Sequence, residues 1–199
     1  MQPKKSSKRF TIMPLLKEIA NIRAGLYLNS SPTGTVSYLQ IKDLLMDDPE
    51  KTAVKVEYKS KMDYNMVRRG DLLFAGKGTS YLCTVFEHSF PAVVSTSLYV
   101  IHLIDNRITS EYLCWYLNHP TIVSKIKASQ IGSSTPLILK STLENLEVPM
   151  PVIDIQYQVV AIASLQKKEE ELMKAIHEKK NNILNHYLLN KITTSIVNH

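Results

Sequence analysis

From Gln156 to about Asn190 the chain has neither proline nor glycine, and its apolar residues recur at helical spacing. Ile155, Ile162, Leu165, Leu172, Ile176 and Ile183 form one stripe on 3-and-4 spacing, interrupted by Glu169 and Lys179. Lys167, Lys168, Glu170, Glu171 and Lys174 take the solvent side. The pattern predicts one long helix with a coiled-coil-like seam. Residues 155–190 would span roughly 50 Å at helical rise. A rod that long can bury only one end against a small body, so pairing with another helix is favoured over folding back. Pro149 and Pro151 bar an earlier start, and Asp154 is placed to cap the first turn.

Upstream the periodicity changes. Leu15, Leu16, Ile19 and Ile22 have helical spacing, which predicts a short helix ending near Gly25. Residues 34–41 alternate and are rich in β-branched and aromatic side chains, so they read as a strand. Arg69-Gly70-Asp71 is a turn signal, and Leu72–Ala75 behind it is a short buried strand. A second turn follows at Gly76-Lys77-Gly78-Thr79-Ser80. Strand composition returns over Tyr81–Phe86 and Ala92–Ile104. Thr109-Ser110-Glu111 opens a helix that carries Leu113, Tyr116 and Leu117 on one face. Pro120 starts the next, which runs until Gly132, and Ser141-Thr142-Leu143-Glu144 is a capping box for a brief third. The expected fold is α+β: a β-rich mixed body with short helices over 11–151, then the long helix over 152–199. Residues 1–10 are expected to be a basic, flexible tail.

The chain has 199 residues, 44% of them hydrophobic and 21% charged, which suits a folded protein rather than a disordered one. The longest apolar stretch, Phe90–Ile104, is broken by Ser95, Thr96, Ser97 and His102 and is too short to cross a bilayer. No apolar region of signal-peptide length follows the basic start. Cys83 and Cys114 sit among apolar neighbours and read as buried thiols in a reducing cytoplasm rather than a disulfide.

The net charge of +6 invites a nucleic-acid reading. Lys4, Lys5, Lys8 and Arg9 carry four of those charges. Internally, Lys51, Lys55, Lys59, Lys61, Arg68 and Arg69 face only Glu57 and Asp63. Such a cluster can neutralise phosphates; a solvated polar face is the plainer alternative.

Visible chemistry is thin. Gly76–Ser80 has the wrong order for a phosphate loop, which needs four residues before its Gly-Lys-Ser/Thr and a helix after it. The six histidines are scattered, and His102 on a strand reads as a satisfied structural residue. No Cys/His spacing suits a metal, and no nucleophile motif is present. No catalytic residue, metal or cofactor is therefore expected on this chain; the expectation is binding.

Taken in order, several elements resemble the specificity (S) subunit of type I restriction-modification systems across about residues 12–190. They are the Gly70-Asp71-Leu72-Leu73 strand entry, the Gly76-x-Gly78 turn, and the Glu111-Tyr112-Leu113-x-Trp115-Tyr116-Leu117 helix. Gln130-Ile131-Gly132-Ser133-Ser134-Thr135 and residues 143–151 follow, then Gln156 with Val159–Ala163. The resemblance implies a target recognition domain that reads double-stranded DNA. In the family two such domains each read half of a split site, and long helices pair antiparallel between them. Those helices also dock methyltransferase (M) subunits, which carry S-adenosylmethionine, and the assembly extends to restriction (R) subunits.

This chain departs from that pattern in having one recognition domain and one helix. The departure implies a half-subunit that homodimerises through its helix at Ile162, Leu165, Leu172, Ile176 and Ile183; alternatives are a truncated remnant or pairing with a different half-subunit. Lys59, Lys61, Arg68, Arg69 and Lys77 are the candidate phosphate or base contacts, with Thr79, Ser80, Gln130, Ser133 and Ser134 as polar seconds. A scaffold protein without DNA affinity is the rival from another class.

Overall fold

The computed structural model describes residues 12–78, 82–129 and 137–197, with side chains through Lys191. The basic tail therefore lies outside the described residues. The chain divides into two units, Met1–Tyr157 and Gln158–His199.

Two small sheets build the first unit. Strands β1 (Ala20–Ala24), β4 (Leu72–Ala75), β5 (Cys83–Val85) and β7 (Leu98–Leu103) form an antiparallel sheet in the order β1-β7-β4-β5. Strands β2 (Val36–Leu39), β3 (Val54–Val56) and β6 (Ala92–Val94) form the other, with β2 antiparallel to β3 and parallel to β6. Helices α1 (Leu16–Ile19), α3 (Ser110–Asn118), α4 (Pro120–Ala128) and α5 (Lys140–Glu144) accompany the first sheet, α3 against β5 and α5 against β1. A further turn of helix, α2 (Pro49–Thr52), precedes β3 and is capped by the Asp48 side chain.

Strand β4 explains why so short a run reads as buried: all four of its residues are at most 1% exposed. Its register pairs Leu73 with Val100 and Ala75 with Leu98, and these join Leu39, Ala92, Val94 and Phe86 in the core that includes residues of the second sheet. Leu72 and Phe74 alternate to the opposite face. Strands buried on both sides lose the apolar–polar alternation and read as continuous apolar runs.

Several expectations are corrected. The helix expected up to Gly25 stops at Ile19, and residues 20–24 are strand β1 paired with β7. Partner hydrogen bonds, not local propensity, decided that segment. The strand expected over Ala92–Ile104 is two strands in different sheets, separated by a turn in which Leu98 N–H donates to Ser95 O at 2.9 Å. Ser141 does not cap α5. The helix begins at Lys140, whose ammonium pairs with Glu144 at 3.2 Å.

The two sheets join at Gly25. Its N–H donates to Leu98 O, and the next amide, Leu26 N–H, donates to Val94 O, so one chain segment bridges β7 and β6. A Cβ at Gly25 would lie 2.0 Å from Ser95 O, so no side chain fits.

Helix α6 (Ile153–Val197) has 45 residues, about 68 Å at helical rise. It starts one residue before Asp154, which therefore lies inside the first turn and acts through the helix dipole rather than as the cap. The start is held by Gln156, fully buried. Its Nε2 donates to Arg107 O and Pro151 O, both at 2.8 Å, and its Oε1 accepts from Thr109 N–H at 3.0 Å. Cys83 and Cys114 are free thiols, and burial pushes the Cys83 thiol well above its ordinary pKa.

Gly25→Ala forces the sheet junction apart. We expect a loss of about 3 kcal/mol of folding stability in urea titration, with Ala24→Gly, at the neighbouring position, costing no more than about 1 kcal/mol.

Candidate nucleic-acid interface

A turn of 3₁₀ helix over Ser60–Asn65 separates two open clefts. The first, of about 370 Å³, is lined by Tyr27, Asn29, Ser31, Glu57, Lys59 and Lys61 among others. The second, of about 270 Å³, is lined by Asn21, Arg23, Tyr64, Arg68, His102 and Ile104. Met62, 1% exposed, pins the turn into the core beside Val36, Tyr38 and Val56. That anchor leaves Lys59, Lys61 and Tyr64 on the surface.

Beneath the second cleft lies Asp71, 1% exposed. Its Oδ2 accepts from Arg23 Nη2 at 3.3 Å and from Arg68 N–H at 2.9 Å; its Oδ1 accepts from His102 Nδ1 at 2.6 Å. Arg23 also donates to Tyr64 O and lies over the Tyr64 ring, 5.4 Å from the centroid. Gly70, at φ +89°, closes the Arg68–Asp71 turn, and Ser110 Oγ donates to its carbonyl at 2.6 Å. One carboxylate thus joins β1, β7 and the turn that presents Arg68 and Arg69.

The internal cations sort into two groups. Lys51 pairs with Asp48 at 2.7 Å, and Lys55 reaches Ser37 Oγ at 2.9 Å and Glu50 at 3.7 Å. Lys59, Lys61, Arg68 and Arg69 are exposed and make no ion pair among the described residues. The acids beside them have other partners. Glu57 accepts from Ser31 and Thr33, and Asp63 from the Tyr58 hydroxyl at 2.5 Å, a bond that pushes the phenol's pKa up. Free cations backed by satisfied acids form a surface on which phosphate oxygens can displace water without breaking an ion pair.

Lys77 does not join this group. Arg68 and Arg69 precede β4 and Lys77 follows it, so the strand, roughly 13 Å long, stands between them. Lys77 is half-buried and bridges to Leu137. Thr79, Ser80, Gln130, Ser133 and Ser134 lie outside the described residues. Conversely, Arg23, Tyr27, Tyr64 and His102 line the clefts although their sequence context gave no such sign. The β1–β7 pairing sets Asn21 opposite His102 and Arg23 opposite Val100, which brings Arg23 and His102 to the same carboxylate; the helix-like spacing of Leu16, Ile19 and Ile22 concealed that pairing. His102 is satisfied structurally, as its strand position suggests.

On α6, the five seam residues Ile162, Leu165, Leu172, Ile176 and Ile183 are between 48% and 71% exposed. Among the described residues there is no cluster of potential metal ligands and no helix long and apolar enough to cross a membrane.

Body and helix together define a recognition module of a known class. The chain belongs to the family of type I restriction modification DNA specificity domains, whose sequence model matches residues 14–192. Its fold is similar to that of the type I restriction-modification S subunit from M. genitalium, at 14% identity and a TM-score of 0.55, over 86% of this chain and 43% of that one. It is also similar to the HsdS subunit from Thermoanaerobacter tengcongensis, at 18% identity and a TM-score of 0.61, over 87% and 42%. A third similar structure concerns complex assembly and conformational transition of the type I R-M system; identity is 19% and TM-score 0.65, over 90% of this chain and 44% of that one. The chain therefore spans less than half the length of each of these solved chains. No curated protein matches its sequence significantly.

Asp71→Asn removes the charge facing the nearly buried Arg23 guanidinium. The expected result is a loss of about 3 kcal/mol in chemical denaturation, because one partner of a buried pair is left uncompensated.

Proposed function

We propose that this chain is a non-catalytic DNA sequence-recognition subunit of a type I restriction-modification system, acting in the cytoplasm as a half-subunit. Residues up to Pro151 read duplex DNA, and α6 pairs two copies to rebuild a two-domain reader. The observation that carries the reading is the group of unpaired, exposed cations around the 60–65 turn, in a chain of this family. Lys59, Lys61, Arg68 and Arg69 contact phosphate or base edges, joined by the exposed rings of Tyr27 and Tyr64. Lys77, Thr79, Ser80, Gln130, Ser133 and Ser134 stay in the proposal as a second contact group.

The exposed apolar seam of α6 supports the dimer. A symmetric dimer favours an interrupted palindrome, since protein two-fold symmetry maps onto the site. Methyltransferase subunits, which bring S-adenosylmethionine, and restriction subunits complete the assembly.

Fluorescence anisotropy with duplex DNA at several salt concentrations tests the DNA half. Affinity should fall steeply with salt, and Lys59→Ala with Lys61→Ala should lower the log–log slope by about 2. Absence of salt-dependent affinity, even with a cognate methyltransferase subunit present, leaves the scaffold or remnant reading standing instead. For the helix, Leu172→Asp with Ile176→Asp puts charge into the seam at a cost of about 3 kcal/mol or more in any paired state. Sedimentation should then show monomer where the unaltered protein shows dimer.

A further inference from the structure

The polar interruptions of the α6 seam carry information that its apolar residues do not. Ile155, Ile162, Glu169, Ile176, Ile183 and Asn190 recur every seven residues, and Gln158, Leu165, Leu172, Lys179 and His186 form the companion set. Together they are the two core-facing rows of a paired helix. Glu169 and Lys179 each interrupt one row. Within one helix they are about 15 Å apart, too far to meet, and neither makes an ion pair among the described residues.

In a parallel, in-register pair every residue meets itself. Glu169 would face Glu169 and Lys179 would face Lys179, two like-charge layers inside a seam. Reversing one helix exchanges the two rows, so a member of one set faces a member of the other. One antiparallel register then resolves all the charges. With Leu172 opposite Ile176 of the second copy, Leu165 faces Ile183, Glu169 faces Lys179, and Gln158 faces Asn190, each layer occurring twice by symmetry. Ile162 facing His186 is the one mixed layer in this set. A slip of seven residues in either direction sets Lys179 against Ile162 or Ile176 and Glu169 against Leu172 or His186. The flanks agree with the central register. Met173 and Ala175 border the seam at its midpoint, where each meets its own copy, so the flanks are uncharged where the two-fold axis would cross.

We propose that the antiparallel pairing of α6 with a second copy of this chain is fixed in register by reciprocal Glu169–Lys179 layers, its two-fold axis level with Lys174. This rests on the homodimer reading above and on the antiparallel orientation that the family resemblance implies, and adds the register and the residues that fix it. Apolar residues drive the association; the charged layers select one arrangement among several that the apolar residues alone would allow.

Charge-swapped full-length chains test it by sedimentation equilibrium. Glu169→Lys alone sets Lys against Lys in both layers, and Lys179→Glu alone sets Glu against Glu. Each single variant should dimerise about tenfold or more weakly than the unaltered chain. The double variant Glu169→Lys with Lys179→Glu should recover the original affinity, and an equimolar mixture of the two single variants should form a heterodimer of comparable strength. In a parallel pair the unaltered chain already carries two like-charge layers, so the single variants would be no weaker. Equal dimerisation of all forms overturns the register while leaving helix pairing intact; a monomeric unaltered chain overturns the homodimer reading itself and the register with it.

Discussion

Asp71 sits where the proposed DNA-contacting surface and the core of the body meet, and its carboxylate is almost without water. A carboxylate in that position is tolerated only when donors surround it. Arg23 from β1, His102 from β7 and the amide of Arg68 supply them, while its own backbone carbonyl accepts from Phe86 N–H. The cluster therefore fixes more than a turn. It sets the register of two strands against the loop carrying Arg68 and Arg69, and it holds Arg23 where Tyr64 can stack on it. Lys59, Lys61, Arg68 and Arg69 are left exposed with no ion-pair partner among the described residues, which is the condition for binding something else.

That division of labour among charges separates the structure from the bare composition. An excess of cations says nothing about which are available. Lys51 and Lys55 belong to the same sequence cluster as Lys59 and Lys61, yet the first two close ion pairs around α2 and β3. Lys77, equally basic and equally close to a glycine turn, lies beyond the far end of β4 and is half-buried. Charge density along a sequence becomes a surface property only after the strands have placed each residue, and here that placement leaves four of the cluster's six cations without an ion pair among the described residues.

Some of the architecture could be read directly. The proline-bounded long helix, the buried four-residue strand after Gly70 and the Thr109 cap all rest on local chemistry, and the structure has each of them. Failures fall where a distant partner overrides local pattern. Residues 20–24 have apolar spacing that suits a helix, but pairing with β7 draws them into a strand. Ser95–Ser97 looks like a polar interruption within one strand, yet Gly25 and Leu26 occupy the backbone positions there and turn the chain into another sheet. Strand β3 was invisible because its three residues, Val54-Lys55-Val56, sit within a run dominated by charge. Half of the candidate surface, Arg23 and His102 above all, was hidden for the same reason: their proximity is a product of strand pairing.

The long helix poses a different problem, because its information lies in imperfections. A seam of uniform leucine and isoleucine would associate more strongly but in several registers and both orientations, since apolar contact is non-directional. A protein that must hold two recognition surfaces at one spacing cannot tolerate such slippage: a seven-residue shift of one helix along another moves everything attached to it by about 10 Å, some three base pairs of duplex at 3.4 Å each. In the proposed pairing, Glu169 and Lys179 weaken the seam relative to apolar residues and make the alternatives worse still. Loss of affinity in exchange for a single spacing is the expected compromise where the distance between two binding surfaces, rather than the strength of their link, determines what is recognised.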